Sequence, residues 1–324
     1  MIDAISRREA IAATTAALAC QNLPAIHAAL APDDASDSSP FLVRPYVQLG
    51  DSPQQTEQEQ LVVMWHAADR DATWTVEFRS ATTSAWTACG RVKSTRIEWD
   101  GVAAHRVCEA VLRPLAAGSE VEYRVKLDDQ IMHTATARTR CAASQPFRCV
   151  VVGDCGTGSE PQKKIADQIF RRQPAFMFVP GDLVYNHGRI SEYRSSFYPV
   201  YTATKSSPLV GAPLMESTVI LGARGQHDTQ SSLSEHPDGH AYFLYWSFPL
   251  NGPTLDPRGP HVYPVGATPA IEPKFASAAD TRFPRMANYS FDWGNSHWTV
   301  LDTWNPYIDW TDHRLRDWLK HDLE

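Results

Sequence analysis

The sequence predicts a multi-domain chain, an N-terminal all-β sandwich followed by an α/β sheet. Residues 41–142 carry short β-branched and aromatic runs separated by turn-rich segments, the pattern of a sandwich. From Phe147 the pattern changes to strand, helix, strand, which is a βαβ unit with parallel strands. The chain of 324 residues is also about twice the usual single-domain length.

Composition narrows the function classes. Hydrophobic residues make up 43% and charged residues 21%, an ordinary globular balance. Lys plus Arg is 30 against 37 for Asp plus Glu, a net charge of -7, so no basic surplus is available to neutralise a nucleic-acid backbone. No apolar run reaches the ~18 residues that would span a bilayer.

The elements follow in order. Ser6-Arg7-Arg8-Glu9-Ala10-Ile11 precedes an Ala/Thr-rich run, and Ala29-Leu30-Ala31 precedes Pro32. This is the charged, apolar and small-residue order of a bacterial export signal, and the paired arginines resemble the twin-arginine type. Residues 1–31 are therefore expected to send the chain to the periplasm or the exterior, with lipoprotein cleavage before Cys20 as a minor alternative. Their removal leaves five cysteines, Cys89, Cys108, Cys141, Cys149 and Cys155, an odd number that keeps at least one thiol unpaired. No Cys-x-x-Cys pair points to structural zinc. Residues 32–40 read as a polar, proline-flanked linker.

Within the sandwich, strands are expected at Leu61–Trp65, Trp74–Phe78 and Val121–Val125, and the Gln-rich stretch 51–60 reads as a solvated loop. Leu115 to Glu120 looks like the loop entering a late strand of a fibronectin type III-like sandwich. In the second part, strands are expected at 148–152 and 175–179, joined by a helix over 159–172 with Ile165, Ile169 and Phe170 on one face. Further strands are expected at 217–221, 288–293 and 297–301, and an amphipathic helix at 312–324.

In open α/β sheets, functional groups gather at the carboxyl ends of strands. Gly153-Asp154 ends one expected strand and Gly181-Asp182-Leu183-Val184-Tyr185 ends the next. Two neighbouring carboxylates repel one another, so the pair asks for a cation, and the Tyr185 phenol three residues on is a hard oxygen donor suited to ferric iron. Gly225-Gln226-His227-Asp228 follows a third strand and adds an amide oxygen and an imidazole. Asp154 and Asp182 lie 28 residues apart and Asp182 and His227 lie 45 apart. A dinucleotide site is disfavoured, because the glycines run G-x-x-G-x-G and Asp154 would repel a pyrophosphate. No Gly-x-Ser-x-Gly elbow supports a serine hydrolase.

Taken together, these residues resemble the metallophosphoesterase (calcineurin-like) superfamily, and Gly-Asp-Leu-x-Tyr resembles its purple acid phosphatase branch. Tyr289-Ser290-Phe291-Asp292-Trp293-Gly294-Asn295-Ser296-His297, leading into Val300-Leu301-Asp302-Thr303, fits the same branch, and the resemblance covers roughly residues 42–324. It implies a fibronectin type III-like domain over 41–142 and the N-terminal portion of an α/β metallophosphoesterase sandwich over 147–324. It further implies a dinuclear centre of ferric iron and a divalent metal (zinc, iron or manganese). Asp154 and Tyr185 would bind the ferric ion, Asp182 would bridge, and Gln226 would bind the divalent ion. His227 would protonate the leaving alkoxide or steer the phosphate during in-line attack on a small phosphate monoester. The family has Asn where this chain has Gln226, and its Val-x-x-His and Gly-His-x-His motifs are not found. Gly239-His240-Ala241-Tyr242 and Gly259-Pro260-His261 read as surface loops, and the chain is expected to be a C-terminally truncated form. The alternatives are a secreted, catalytically impaired binding protein on the same scaffold and a phosphodiesterase of the same superfamily.

Overall fold

Short apolar and β-branched runs, some alternating with polar side chains, build eight strands between Phe41 and Arg138. They are β1 (Phe41–Gln48), β2 (Gln58–Ala68), β3 (Trp74–Ser80), β4 (Thr87–Ala88), β5 (Lys93–Trp99), β6 (Val102–Ala116), β7 (Glu120–Leu127) and β8 (Gln130–Arg138). One antiparallel sheet has the order β1-β2-β6-β5 and the other β4-β3-β7-β8. The sheets meet through aromatic side chains, Trp74 lying 5.4 Å from Trp65 and 5.5 Å from Phe41, ring to ring. Val76 and Phe78 pair in register with Val125 and Tyr123, so the large side chains of both strands enter one core. Each such burial contributes about 1.5–3 kcal/mol. The computed structural model describes residues 39–230, 232–254, 262, 264–304 and 313–324. The expected export signal, Cys20, most of the linker and His261 lie outside them.

The second part holds three parallel strands, β9 (Cys149–Val151), β10 (Phe176–Val179) and β11 (Val219–Gly222), in the order β11-β10-β9. Helix α1 (Glu160–Arg172) makes the first crossover, with Pro161 in its first turn and Gln173 in a left-handed cap. After β11 come α2 (Gln226–Thr229) and α3 (Glu272–Ala279), then the antiparallel hairpin of β12 (Tyr289–Trp293) and β13 (Ser296–Val300), and α4 (His313–Asp322). No helix among the described residues is long and apolar enough to cross a membrane.

Two expectations change. Ile165 is 45% exposed, because α1 buries the stripe containing Gln162, Ala166 and Ile169 instead. The stretch 51–60 is not simply solvated. Buried Arg140 forms a two-point ion pair with Glu59 (2.7 and 3.0 Å) and donates to the carbonyls of Ser52, Pro53 and Gln54. It also reaches the carbonyl of Asp292, and Gln55 accepts from the amide of Gly294 at 2.7 Å, so this loop stitches the sandwich to the hairpin. Residues 40–324 pack as one unit. Further ties are Val47 N–H to the Met215 carbonyl, Tyr123 hydroxyl to the Glu216 carbonyl and Trp99 indole N–H to the Pro237 carbonyl. All five described cysteines are free thiols.

Candidate metal centre

Parallel pairing of β9, β10 and β11 brings three chain turns to one sheet edge. Asp154 follows β9 and Asp182 follows β10, both in left-handed backbone at φ 54° and 50°. That region disfavours side-chain-bearing residues, though aspartate tolerates it better than most. The same strained geometry at two adjacent strand ends marks a site where side-chain direction matters more than backbone comfort. Gly225 permits the turns to close, since a Cβ there would stand 2.1 Å from the Asp182 nitrogen.

The Tyr185 hydroxyl donates to Asp154 Oδ1 and lies 3.4 Å from Asp182 Oδ2, so the phenol sits between the two carboxylates. Burial raises its pKa above the ordinary phenol value, and the neighbouring Asp154 and Asp182 raise it further. The backbone N–H of His227 donates to Asp182 Oδ1 at 3.1 Å. The His227 ring packs 4.8 Å from Tyr185, and its Nδ1 is 3.0 Å from the Asn186 carbonyl. A carbonyl only accepts, so Nδ1 carries a proton, and Nε2 is the ring nitrogen free of that carbonyl. Gln226 is exposed, and its amide nitrogen lies 3.5 Å from His227 Nε2. Asp154, Asp182 and Gln226 line one cleft of about 320 Å³.

The sequence-predicted residues are thus brought together, with Gln226 turned toward His227. The donors fit a hard cation: two carboxylates and a phenol, with no Lys or Arg ion pair to either carboxylate among the described residues. No group of three or more His, Cys, Asp or Glu side chains among the described residues is placed to hold a metal, so the phenol and amide oxygens matter to any such site. His240, expected at the surface, is fully buried with its ring 6.1 Å from Phe275. The Gly239-His240 turn is pressed inward by the aromatic segment that follows it, Tyr242 to Tyr245 being buried throughout.

No family profile matches the sequence, and no curated protein matches it. Among solved structures, a purple acid phosphatase from yellow lupin (Lupinus luteus) seeds superposes with a TM-score of 0.56 at 13% identity, over 86% of this chain and 47% of that one. A PhoD structure gives 0.46 at 13% identity, over 86% of this chain and 54% of that one. The likeness to the lupin protein is one of fold. The chain spans about half the length of the solved structures it matches.

Sequence reasoning left two supports of this site without a role. Asp228 is fully buried and accepts from the backbone N–H groups of Leu183 (3.1 Å), Val184 (3.3 Å) and Gly225 (2.8 Å). It clips the Asp182–Tyr185 loop to the Gln226 turn. Burial pushes its carboxyl up to about 7, against the pull of those N–H groups. Arg224 and Asp302 form a fully buried ion pair that ties the same turn to the end of β13. Breaking such a pair by removing one partner costs about 3–5 kcal/mol. The signal available in sequence was a charged residue on each side of Gly225-Gln226-His227, but their partners lie 45 and 78 residues away.

Proposed function

We propose that the chain is a metal-dependent phosphoesterase of the purple acid phosphatase type, hydrolysing small phosphate monoesters. The observation that carries this reading is the Tyr185 phenol set between Asp154 and Asp182 at the ends of adjacent parallel strands. In this reading residues 41–142 are a fibronectin type III-like domain and residues 147–324 the N-terminal portion of a metallophosphoesterase domain. In the same reading Asp154 and Tyr185 would hold ferric iron, Gln226 would hold a divalent ion, and Asp182 would serve both. When bound, the metals would supply a nucleophile from water at mildly acidic pH and neutralise charge on the transferring phosphoryl group. His227 Nε2, facing away from the Asn186 carbonyl, is the group positioned to hold or deliver a proton at the leaving oxygen. Asp228 and Gly225 keep the Asp182 loop against the Gln226 turn. The lupin phosphatase likeness supports the fold required.

A second reading, a phosphate-binding protein with impaired turnover, is favoured by Gln226, whose amide contacts His227 and neither carboxylate. Metal analysis of the purified chain, with parallel assays on a chromogenic monoester and a diester, separates the readings. Bound metal with monoester turnover supports the first, and bound metal with phosphate affinity but no turnover supports the second. A chain that binds no metal at all would sink both.

A further inference from the structure

We propose, resting on the phosphoesterase reading, that Trp304 is an aromatic platform beside the phosphoryl site, so that the chain selects phosphoryl compounds with a planar aromatic leaving group. The cleft of about 320 Å³ has a mixed lining. Asp154, Asp182 and Gln226 are among its polar lining residues, and Pro180, Leu301 and Trp304 are among its apolar ones. Trp304 is 56% exposed, whereas Trp65, Trp246 and Trp293 are fully buried, and it is the one strongly exposed indole among the described residues. Ligand clefts are commonly lined by aromatic side chains with a few placed polar groups, and Trp304 lines this one with Asp154, Asp182 and Gln226.

The position of this indole is built into the fold. The Trp304 backbone N–H donates to Asp302 Oδ1 at 2.8 Å, and the Asp302 N–H donates to Asn288 Oδ1 at 2.9 Å. Asp302 is paired with Arg224, the residue immediately before Gly225-Gln226. One buried ion pair therefore fixes both the backbone that presents the indole and the turn that presents Gln226. The ring chemistry selects the leaving group. Aromatic faces stack on planar rings, so an indole beside the phosphoryl site favours a leaving group that carries one. Aryl phosphates have this chemistry, and alkyl and sugar phosphates lack it.

The test uses binding, so that it does not depend on turnover. Phenylphosphonate, methylphosphonate and inorganic phosphate are titrated calorimetrically into the chain with added manganese(II). Trp304→Ala should weaken phenylphosphonate about tenfold and leave the other two probes unchanged, while Trp304→Phe should restore most of the loss. Equal loss across all three probes, or no loss, would overturn the platform while leaving phosphoryl binding intact. A wild-type chain that binds phenylphosphonate no better than methylphosphonate would do the same. Failure of all three probes to bind would remove the phosphoesterase reading and this inference with it.

Discussion

Tyr185 keeps its proton because burial and two carboxylates surround it, and a hard cation in the same place would reverse the balance by stabilising the phenolate. Ferric iron added to the chain should therefore give a tyrosinate-to-iron charge-transfer band. Tyr185→Phe should abolish that band and weaken ferric binding on the order of 100-fold. A band that survives the substitution would rule out the phenolate as ligand. Asp228 would act one step further from such a cation, through the backbone of Leu183, Val184 and Gly225. Asp228→Asn puts an amide N–H₂ where an acceptor faces those N–H groups, a loss of about 1–3 kcal/mol for each group left unpaired. A lower melting temperature and weaker metal binding should appear together. Lower stability with unchanged metal binding would show that Asp228 supports the fold but does not position the site. Asp154, Asp182 and Tyr185 were legible in the sequence because strand, glycine and acid recur in order. Asp228 was not, because a carboxylate's value depends on which N–H groups face it after folding. His240 was misread for the matching reason: a Gly-His turn looks exposed until Phe275 packs on it.

At the level of elements, the strands and helices that apolar pattern alone can fix were the legible ones. β10 and β11 are short, buried runs bounded by turns, and they pair as parallel strands. The face of α1 was less legible, since Ile165 and Ile169 lie on one side by spacing while only Ile169 of the two is buried. Long-range polar links such as Arg140 to the 51–60 stretch carry no periodic signal at all. The hairpin and α4 are joined by another link of this kind. His297 Nδ1 lies 2.8 Å from Asp292 Oδ1, its cross-strand neighbour, and Nε2 lies 3.1 Å from Asp322 Oδ2 on α4. Both nitrogens face carboxylates, so the doubly protonated ring satisfies both. Burial lowers its pKa, but the bonds to Asp292 and Asp322 outweigh burial and the net shift is upward. A raised folded pKa means that this link is fully present below the ordinary histidine value and is lost as pH rises through the raised one. Hydrogen exchange of the α4 amides should therefore quicken from mildly acidic to mildly alkaline pH, and His297→Ala should remove that dependence. Exchange that is equally pH-dependent in the variant, after correction for intrinsic rates, would refute the link.

Across the whole molecule, the sandwich and the α/β part meet through a buried polar layer in which histidines must stay neutral. The Tyr46 hydroxyl donates to the Tyr245 carbonyl at 2.7 Å and lies 3.1 Å from His66 Nε2. The Tyr245 hydroxyl lies 2.9 Å from His105 Nε2, and His105 Nδ1 lies 2.8 Å from the Ala103 carbonyl. Since Nδ1 donates to that carbonyl, Nε2 accepts from Tyr245, and protonation of Nε2 would reverse this bond and leave a charged ring buried near Arg194. Burial first, and then the charge of Arg194, depress His105 to about 4, while burial and Arg44 depress His133 to about 4. His66 is lowered well below the usual value by burial, His105 and Arg194. A depressed histidine binds its proton more readily in the unfolded chain. Its contribution is therefore fully present above about pH 6.5 and is lost as pH falls toward the folded value. His105 and His133 are each worth up to about 3 kcal/mol in this sense, a large share of a total near 5–15 kcal/mol. Buried Asp228 works in the opposite direction, gaining stability as pH falls through about 7. Carboxylates held down by partners, such as Asp69, Asp167 and Asp238, lose theirs only below about pH 4. The interval from about pH 6.5 to about 4.5 therefore isolates the histidines among the destabilising groups. Denaturation midpoints of the wild-type chain should fall across it, and His105→Gln with His133→Gln should flatten the fall even if the variant starts less stable. A slope unchanged by the double substitution would mean that these rings do not set the acid limit of the fold.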